Sequence, residues 1–443
     1  MSLPALAQLP APMESAIDKV VRNALADSGG PAVSIAVVKD GKLAYVHAYG
    51  EARLQPRTSA DPAMRYKIAS NSKQITSSAI LLLAQEGKLS LDDRVSRFFP
   101  DLTRAGDVTI RQLLSHTSGY QDYYPLDYVT PLMARETTPA RILDMYARKP
   151  LDFEPGSKWQ YSNTNYVIAG QIIEKMAGKP MIEFLRERIF DKLGMKSPID
   201  VDRATWSASD PLGYTRYALG PLRPVQPEGT GWLYAAGELA MTAHDLALWD
   251  ISLMEGSILE PESMQALTTE VKLASGASTH YALGLAVSGE RGHRKWSHTG
   301  GASGFTSSNF TRPDERIAVT VLTNGETPAH RLIARRIEEV LLPPEPTLDI
   351  ARRVFRDLQQ GLVDRSLFTN DGNSYFTAQA VTDFEKSLKP LGDPVEFRET
   401  AKQDRGGMTE RTFSIRAGGK SLNVSAYFTP EGKLAQYLIT PAQ

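Results

Sequence analysis

The chain has 443 residues, with 50 basic and 51 acidic side chains and a formal charge of -1. This length favours two domains, and the balanced charge argues against nucleic acid or an anionic membrane surface as the main partner. The balanced charge leaves a small molecule or peptide as the expected ligand. The absence of cysteine excludes disulfides, thiolate metal sites and cysteine nucleophiles.

The first residues, MSLPALAQLPAP, contain an Ala-Leu-Ala-Gln sequence typical of the end of an export signal, without the charged and apolar regions that precede such an end. We interpret Met1–Ala7 as the remnant of such a signal and expect a secreted or periplasmic bacterial protein. The alternative is an ordinary disordered terminus over residues 1–13. No apolar run approaches the ~20 residues that a membrane-spanning helix needs.

Strand patterns occur at both ends of residues 14–342, and helical patterns lie between them. Two alternating runs within residues 32–49 meet at Asp40-Gly41, which is a strong hairpin signal. Helical periodicity follows at 71–86, 109–115, 138–148, 164–177, 180–192 and 242–253. Strands return at 281–288, 293–297, 305–310 and 317–323, before a helix at 328–341. This order predicts an α+β fold, with one antiparallel sheet built from both termini and a helical subdomain beside it.

A proline-rich linker at 343–346 separates this domain from a second one at 347–443. The second domain has amphipathic stretches at 348–360 and 377–389, and then four alternating runs at 394–401, 409–417, 421–429 and 433–440. This pattern predicts a small α+β domain of cystatin-like or nuclear-transport-factor-like shape. Three roles stay open for it: covering a cleft, forming a homo-oligomer, or acting as a tether.

The first candidate for chemistry is Ser70-Asn71-Ser72-Lys73, directly before an apolar helical run. If a helix begins near Ser70, then Lys73 lies one turn later on the same face, within reach of the Ser70 hydroxyl. A lysine whose surroundings disfavour its charged form can take the proton of a serine nucleophile. The alternative is that Ser70 caps the helix and Lys73 is a solvated first-turn residue, because a Ser-x-x-Lys string also arises by chance.

Two further segments carry polar residues at places suited to a site. Tyr161-Ser162-Asn163 lies between a Pro-Gly turn and a predicted helix, where the phenol can face a cleft and Asn163 can bind a substrate amide. His298-Thr299-Gly300-Gly301 lies at a predicted edge strand, where glycines let a ligand approach and a backbone N–H can hold an oxyanion. Taken singly, a capped helix preceded by a packing aromatic and a glycine-rich turn beside a histidine explain these segments better than a site does.

The order and spacing of the three segments resemble those of the serine penicillin-recognising enzymes. More narrowly, residues 14–341 resemble the family of class C β-lactamases, DD-peptidases, D-aminopeptidases and related esterases. The resemblance extends to LLSHTSGY at 113–120, PGSKWQYSN at 155–163, GWLYAAGELAMTAHDLALW at 231–249 and VLTNGE at 321–326.

The resemblance implies a serine hydrolase that works through an acyl-enzyme, with no metal or cofactor. Ser70 would be the acylated nucleophile, Lys73 its proton acceptor and Tyr161 the partner base that returns a proton to the leaving group. The acyl donor would be an amide or ester, such as a D-amino acid peptide or amide, a small ester or a β-lactam.

The resemblance also implies which residues hold the substrate. Asn163 would bind the substrate amide and steady Lys73, and the backbone N–H groups of Ser70 and Gly301 would form the oxyanion hole. His298, Thr299 and Gly300 would line the side on which a substrate carboxylate or acyl chain lies.

One departure from the family pattern concerns His298, because many β-lactamases of this wider group have lysine at that position. A histidine near pH 7 can be neutral, so recognition of a β-lactam carboxylate is in doubt and the sequence favours the peptidase and esterase relatives. Six aromatic residues are candidates to line the cleft or simply to pack: Tyr123, Tyr124, Tyr128, Trp206, Tyr214 and Trp232.

Competing hydrolase classes lack their motifs, since neither Gly-x-Ser-x-Gly nor His-Glu-x-x-His occurs in the sequence. A different class of function remains as the alternative: a penicillin-binding-like sensor or scaffold that keeps the fold without turning over substrate.

Overall fold

The computed structural model describes residues 8–288, 294–342 and 346–442. The predicted signal remnant at Met1–Ala7 and the linker residues 343–345 lie outside the described residues, as does the first residue of the strand predicted at 293–297. The chain divides into two compact units, Met1–Leu341 and Leu342–Gln443, each with a hydrophobic core of its own.

The first unit is built on a seven-stranded antiparallel sheet with the order β3-β2-β1-β12-β11-β10-β9. The strands of this unit are β1 (Ala32–Lys39), β2 (Lys42–Leu54), β3 (Arg57–Ser59), β4 (Tyr66–Lys67), β5 (Ile199–Asp200), β6 (Tyr214–Thr215), β7 (Arg223–Pro224), β8 (Leu239–Met241), β9 (Ala286–Ser288), β10 (Lys295–Ala302), β11 (Phe305–Arg312) and β12 (Ile317–Thr323). The pairing of β1 with β12 confirms that strands from both ends of the unit form one sheet.

Helices cover the sheet, and the helices that lie in the sequence between its first and last strands form the subdomain. They are α1 (Ala11–Ser28), α2 (Ser72–Gln85), α3 (Ile110–Leu114), α4 (Pro139–Ile142), α5 (Asn163–Ala177), α6 (Met181–Leu185), α7 (Asp191–Leu193), α8 (Tyr234–Gly237), α9 (Ala243–Glu255), α10 (Pro261–Thr268) and α11 (Ala329–Leu341). None of the helices in the described ranges is both long and apolar enough to cross a membrane.

The centre of the sheet is buried on both faces. Every residue of β12 and all but the last of β1 are buried, which is the pattern of strands covered by helices on both sides. The β1–β2 hairpin turns at Asp40 and Gly41, both with positive φ, as the Asp-Gly signal predicts.

The helix α2 lies at the centre of the subdomain. Twelve of its fourteen residues are buried, and it packs against α5 and α8. A helix that is enclosed on all sides must also bury its polar first turn, so the hydrogen bonds of that turn have to come from neighbouring segments.

The sequence patterns missed one helix before the sheet. In α1, Ile17, Val21 and Ala24 recur one turn apart and are buried, and the helix packs against α11. It begins at Ala11, before the predicted domain start at residue 14. A single narrow apolar stripe among charged residues gave too weak a periodic signal.

Two other predicted elements differ in extent. The strand predicted at 281–288 begins only at Ala286, because Gly284 takes a φ of 79° that breaks the extended chain. The helix predicted at 138–148 is α4, continued by a wider π-helical turn at Leu143–Ala147.

The second unit has three helices and a four-stranded antiparallel meander within its described residues: α12 (Pro346–Gln359), α13 (Asn370–Tyr375), α14 (Ala378–Leu388), β13 (Glu396–Arg405), β14 (Met408–Ala417), β15 (Lys420–Phe428) and β16 (Leu434–Pro441). Phe355, Phe413 and Tyr437 are among its fully buried side chains. The α+β class predicted for this part of the chain is confirmed, and α13 is an addition to it.

Candidate active site

Ser70 lies in a 3-10 turn, Ala69–Asn71, that leads directly into α2. Ala69 has a φ of 49°, a left-handed conformation that costs a residue with a side chain about 1–2 kcal/mol. The preceding residue holds this conformation in place, because the N–H of Ile68 donates to the Leu239 carbonyl at 3.0 Å and its carbonyl accepts from Ser307 Oγ at 2.8 Å. The backbone thus fixes the position of the serine.

The Lys73 side chain is fully buried and reaches the Ser70 hydroxyl. Its Nζ lies 3.0 Å from Ser70 Oγ, 2.8 Å from Asn163 Oδ1 and 2.7 Å from the Ala236 carbonyl oxygen. The start of α2 has no side-chain cap. The geometry therefore excludes the alternative of a helix-capping serine followed by a solvated lysine.

These three contacts suit the amine in both protonation states. The Asn163 and Ala236 oxygens can only accept, so they take two N–H groups; Ser70 Oγ accepts the third N–H of a charged lysine, and its hydroxyl can donate to the lone pair of a neutral one. Burial lowers the pKa of Lys73 to about 7, against the opposing charge of Asp122. Near neutral pH a large share of Lys73 is thus able to accept a proton.

Asp122 is a site residue that the sequence analysis missed. Its carboxylate accepts from Asn163 Nδ2 at 3.1 Å and from the Asn163 backbone N–H at 2.9 Å. Because a carboxylate only accepts, it orients the Asn163 amide with its oxygen towards Lys73. Asp122 follows the predicted LLSHTSGY segment by two residues, but nothing in its local pattern distinguishes it from a loop aspartate.

Tyr161 precedes the start of α5 and is hydrogen-bonded to Ser70. Burial raises the pKa of its phenol well above the ordinary value, so the group keeps its proton and acts as a donor at neutral pH. Lys73 Nζ lies 4.9 Å from the centre of the Tyr161 ring. Tyr161 and Lys73 therefore flank the Ser70 hydroxyl together.

His116 packs against the ring of Tyr161. The two ring centres are 4.3 Å apart, and His116 Nδ1 accepts from the Ser162 backbone N–H at 3.2 Å. Burial, with the charge of Lys73 nearby, holds the pKa of His116 well below its usual range. This neutral imidazole, also unrecognised in the sequence analysis, positions Tyr161 by packing.

The strand β10 brings the third predicted segment to the serine. Its partner β9 pairs only with residues 295–297, so within the described residues β9 does not extend to Gly300 and Gly301. The strand β10 also packs against the turn that holds Ser70. A Cβ at Gly300 would lie 2.2 Å from the Ile68 carbonyl oxygen, whereas a Cβ at Gly301 would meet nothing within 4 Å. Gly300 is needed for close packing of the protein itself, and Gly301 borders open space.

His298 is neutral, and its tautomer follows from its partners. Nδ1 lies 2.6 Å from the Thr299 carbonyl, which only accepts, and Nε2 lies 2.8 Å from the Tyr281 hydroxyl. The proton is therefore on Nδ1, and Nε2 accepts from Tyr281. Burial and the nearby Lys73 lower the pKa of His298 to about 3, so His298 provides no positive charge for a substrate carboxylate.

A cleft of about 640 Å³ opens above these groups. Its lining includes all the predicted substrate-binding residues: Asn163, His298, Thr299, Gly300 and Gly301. Of the six candidate aromatics, three line the cleft, namely Tyr123, Tyr124 and Tyr128. Tyr214 and Trp232 are buried and pack within the unit, and Trp206 lies against Phe305.

The charges on the cleft lining are mostly negative. Asp122, Asp127 and Glu326 contribute carboxylates and Arg331 a cation; Asp127, Glu326 and Arg331 are exposed, and Asp122 is half-buried. His330 also lines the cleft, and burial lowers its pKa to about 4. The lining therefore favours a cationic ligand group over an anionic one.

Comparison with known proteins gives matches over the whole first unit. The Beta-lactamase family model matches residues 17–342. Penicillin-binding protein 4* of Bacillus subtilis is 28% identical over 384 residues, which cover 80% of this chain and 82% of that protein. A D-aminopeptidase of Cereibacter sphaeroides is 29% identical over 304 residues, or 68% of this chain. The match spans only 58% of the D-aminopeptidase.

Solved structures agree with this assignment. The D-amino acid amidase from Ochrobactrum anthropi SV3, in complex with D-phenylalanine, superposes with a TM-score of 0.66 at 26% identity, covering 75% of this chain and 99% of that one. An octameric penicillin-binding protein homologue from Pyrococcus abyssi shares the fold over 97% of this chain and 96% of its own, with a TM-score of 0.65 at 20% identity. Relatives by sequence and by structure thus agree with the family model, and the chain belongs to the Beta-lactamase family.

Proposed function

We propose that the protein is a serine hydrolase that cleaves small amides or esters through an acyl-Ser70 intermediate, with amides of D-amino acids that carry a free amine as its preferred substrates. The observation that carries this proposal is the buried Lys73 amine, whose Nζ is held by the Asn163 and Ala236 oxygens and lies 3.0 Å from Ser70 Oγ. A serine becomes an effective nucleophile when such a base takes its proton.

Acylation begins when Ser70 Oγ attacks the substrate carbonyl carbon and its proton passes to Lys73 Nζ. The carbonyl oxygen becomes an oxyanion, and the backbone N–H groups of Ser70 and Gly301 stabilise it. Gly301 supports this role because the space beside it is open.

The tetrahedral intermediate then breaks its bond to the leaving nitrogen or oxygen. Tyr161, which keeps its phenolic proton, donates it to the leaving group and is reprotonated from Lys73. In deacylation a water attacks the ester carbonyl of acyl-Ser70, and its proton returns by the same groups to Ser70 as the acid leaves. The cycle consumes one water and leaves the enzyme unchanged.

The preference for an amine-bearing substrate follows from the charges beside the serine. In an amino acid amide the ammonium is two bonds from the attacked carbonyl carbon, so it must lie close to Ser70. Asp122 lines the cleft at this place and contacts Asn163. The two relatives named for D-amino acid substrates, a D-aminopeptidase and a D-amino acid amidase, support the D configuration.

A β-lactam is a weaker candidate because its carboxylate needs a reliable cation. His298 is neutral, and Arg331 is exposed at the rim, where solvent screens its charge. We therefore expect slow acylation by penicillins.

The test is one panel of substrates measured with matched variants. D-Phenylalanine amide, its N-acetyl derivative, L-phenylalanine amide, p-nitrophenyl acetate and a chromogenic cephalosporin are compared with wild type, Ser70→Ala and Ser72→Ala. We expect the free D-amide to give the highest kcat/KM, Ser70→Ala to abolish turnover, and Ser72→Ala to retain it.

Two outcomes would contradict the proposal. Equal rates for the free and N-acetylated D-amides would refute the role of the ammonium while leaving the serine hydrolase intact. Stoichiometric labelling of Ser70 without turnover of any substrate would instead favour the sensor or scaffold alternative.

Self-association and export are further parts of the proposal. We propose that residues 347–443 contribute to a homo-oligomer, which light scattering of the full chain measures directly. We also propose a secreted or periplasmic location, and cell fractionation with mass spectrometry of the mature amino terminus tests it.

A further inference from the structure

Three carboxylates from separate segments lie close together, next to the segment whose Ala236 carbonyl accepts from Lys73. Asp200 ends β5, Asp202 follows two residues later, and Glu238 links α8 to β8. One oxygen of each lies within 4.8 Å of an oxygen of the other two. Asp200 is 4% exposed and Glu238 is 1% exposed, whereas Asp202 is partly exposed, so the cluster is largely buried and is open to solvent on the Asp202 side only in part.

Glu238 is the member without a protein partner. Both of its carboxylate oxygens are buried, and neither has a hydrogen-bond partner among residues 8–288, 294–342 and 346–442. Burying a carboxylate without a counter-charge or hydrogen bonds is very costly. This side chain therefore needs either a compensating cation or a proton.

The groups around the cluster satisfy the two aspartates first. The backbone N–H of Asp202 donates to Asp200 Oδ1 at 2.8 Å, and that of Tyr234 donates to Asp202 Oδ2 at 2.8 Å. Arg203 Nε lies 3.3 Å from Asp200 Oδ2, but its side chain is 51% exposed. Burial raises the pKa of Glu238 most; the charges of Asp200, Asp202 and Glu174 raise it further, and the charge of Arg203 opposes them.

We propose that Asp200, Asp202 and Glu238 bind a divalent cation of the calcium type. The cluster offers only carboxylate oxygens, which suit a hard cation rather than zinc or copper. Ca²⁺ binds carboxylate oxygens at about 2.3–2.6 Å in flexible geometry, whereas Mg²⁺ demands a near-octahedral shell at about 2.0–2.1 Å and usually keeps several waters. A largely buried set of three protein carboxylates therefore favours Ca²⁺.

The ion would brace the turn that positions the catalytic lysine. Glu238 comes two residues after Ala236, whose carbonyl accepts from Lys73, and its own carbonyl accepts from the Val201 N–H at 2.9 Å. Fixing the Glu238 carboxylate to β5 would thus hold the segment from Tyr234 to Glu238 against the sheet. This site is separate from the cleft, and its existence does not depend on the substrate.

The competing explanation is a shared proton, because neighbouring buried carboxyl groups can also be neutralised by protonation. The two explanations predict different responses. A bound cation makes stability depend on Ca²⁺ concentration, whereas a shared proton makes it depend on pH and leaves it indifferent to Ca²⁺.

The experiment uses the full chain after treatment with EDTA and desalting. Thermal unfolding at pH 7.5 is followed with CaCl₂, with MgCl₂ and with neither, and Tb³⁺ luminescence, excited through nearby Trp232 and Tyr234, reports occupancy directly. We expect Ca²⁺ at 100-fold excess over its Kd to raise Tm by about 5 °C, and to displace Tb³⁺. Mg²⁺ should raise Tm less and displace less Tb³⁺.

Three variants separate the site from general effects. Glu238→Gln and Asp202→Asn should each remove the Ca²⁺-dependent rise in Tm and the Tb³⁺ signal, and Glu262→Gln, at an exposed position of α10, should retain both. If Glu238→Gln fails to fold, Asp202→Asn and the wild-type titration still decide the question. Absence of any Ca²⁺ response in wild type, or a Tb³⁺ signal that persists in both cluster variants, would overturn the proposal.

Discussion

The substitution Lys73→Met tests whether burial makes this lysine neutral in the folded protein. Lys73 has a pKa lowered from 10.5 to about 7 by burial, and each pKa unit corresponds to about 1.4 kcal/mol. Its full burial therefore opposes folding by about 5 kcal/mol at pH 7 and below. Methionine has a similar length and carries no charge, so it removes this cost.

The sign of the pH dependence follows from proton counting. Between pH 7 and 10.5 the unfolded chain keeps the proton of Lys73 and the folded chain releases it, so the stability of the wild type rises with pH across this interval. The stability of Lys73→Met relative to wild type should fall by about 1.4 kcal/mol per pH unit. Below pH 7 both states are protonated, and the difference should become constant.

Tryptophan fluorescence during urea unfolding reports the stability of the first unit, which contains Lys73. All five tryptophans belong to the first unit, at positions 159, 206, 232, 249 and 296. Measurements at pH 7.0, 8.0, 9.0 and 9.5 should give a total change of about 3 kcal/mol. The hydrogen bonds lost with the amine shift every value alike and leave the slope unaffected.

The matched control is Lys175→Met, which removes an exposed lysine from α5. Its stability difference from wild type provides the baseline for the slope. A difference between Lys73→Met and wild type that stays constant from pH 7.0 to 9.5 would refute the neutral lysine, and with it the assignment of Lys73 as the base.

Two further substitutions test the geometry of the site. Asp122→Asn should lower kcat/KM about 10–100-fold, because the substituted amide no longer orients Asn163; the acid limb of its pH profile should move to lower pH, since the Asp122 charge raises the pKa of Lys73. An unchanged acid limb would exclude this electrostatic role. Gly300→Ala should destabilise the unit by more than about 2 kcal/mol, whereas Gly301→Ala should keep wild-type Tm; similar thermal melts for the two variants would contradict the packing argument.

Local patterns were sufficient to predict the sheet, whereas the three segments of the site were identified together, by their order and spacing and the family resemblance that these carry. The Asp-Gly hairpin and the alternating strands depend on neighbouring residues, so their signals are visible in short windows. The spacing of Ser70 and Lys73 is a property of one helical turn, and the structure brings Tyr161, Asn163 and His298 to the same cleft.

The charge states of those residues could not be predicted from the sequence. The pKa of Lys73 falls to about 7 because α5 and α8, distant in sequence, enclose the start of α2, and no local pattern reports that enclosure. Asp122 and His116 were missed for the same reason, since their contacts with Asn163 and Tyr161 join segments that are distant in sequence. The buried carboxylate cluster likewise forms only when β5 and the end of α8 meet.

Burial and Asp122 shift the pKa of Lys73 in opposite directions. In the proposed reaction this suits the lysine both to accept the Ser70 proton and to hold it. A fully solvated lysine would be protonated at neutral pH and unable to accept the Ser70 proton, whereas burial alone would make it too weak a base to hold that proton. Asp122 raises the pKa that burial lowers, and it also lies where the ammonium formed during attack needs a counter-charge. The same carboxylate thus supports proton acceptance by Lys73 and, in the proposed reaction, binding of the substrate amine.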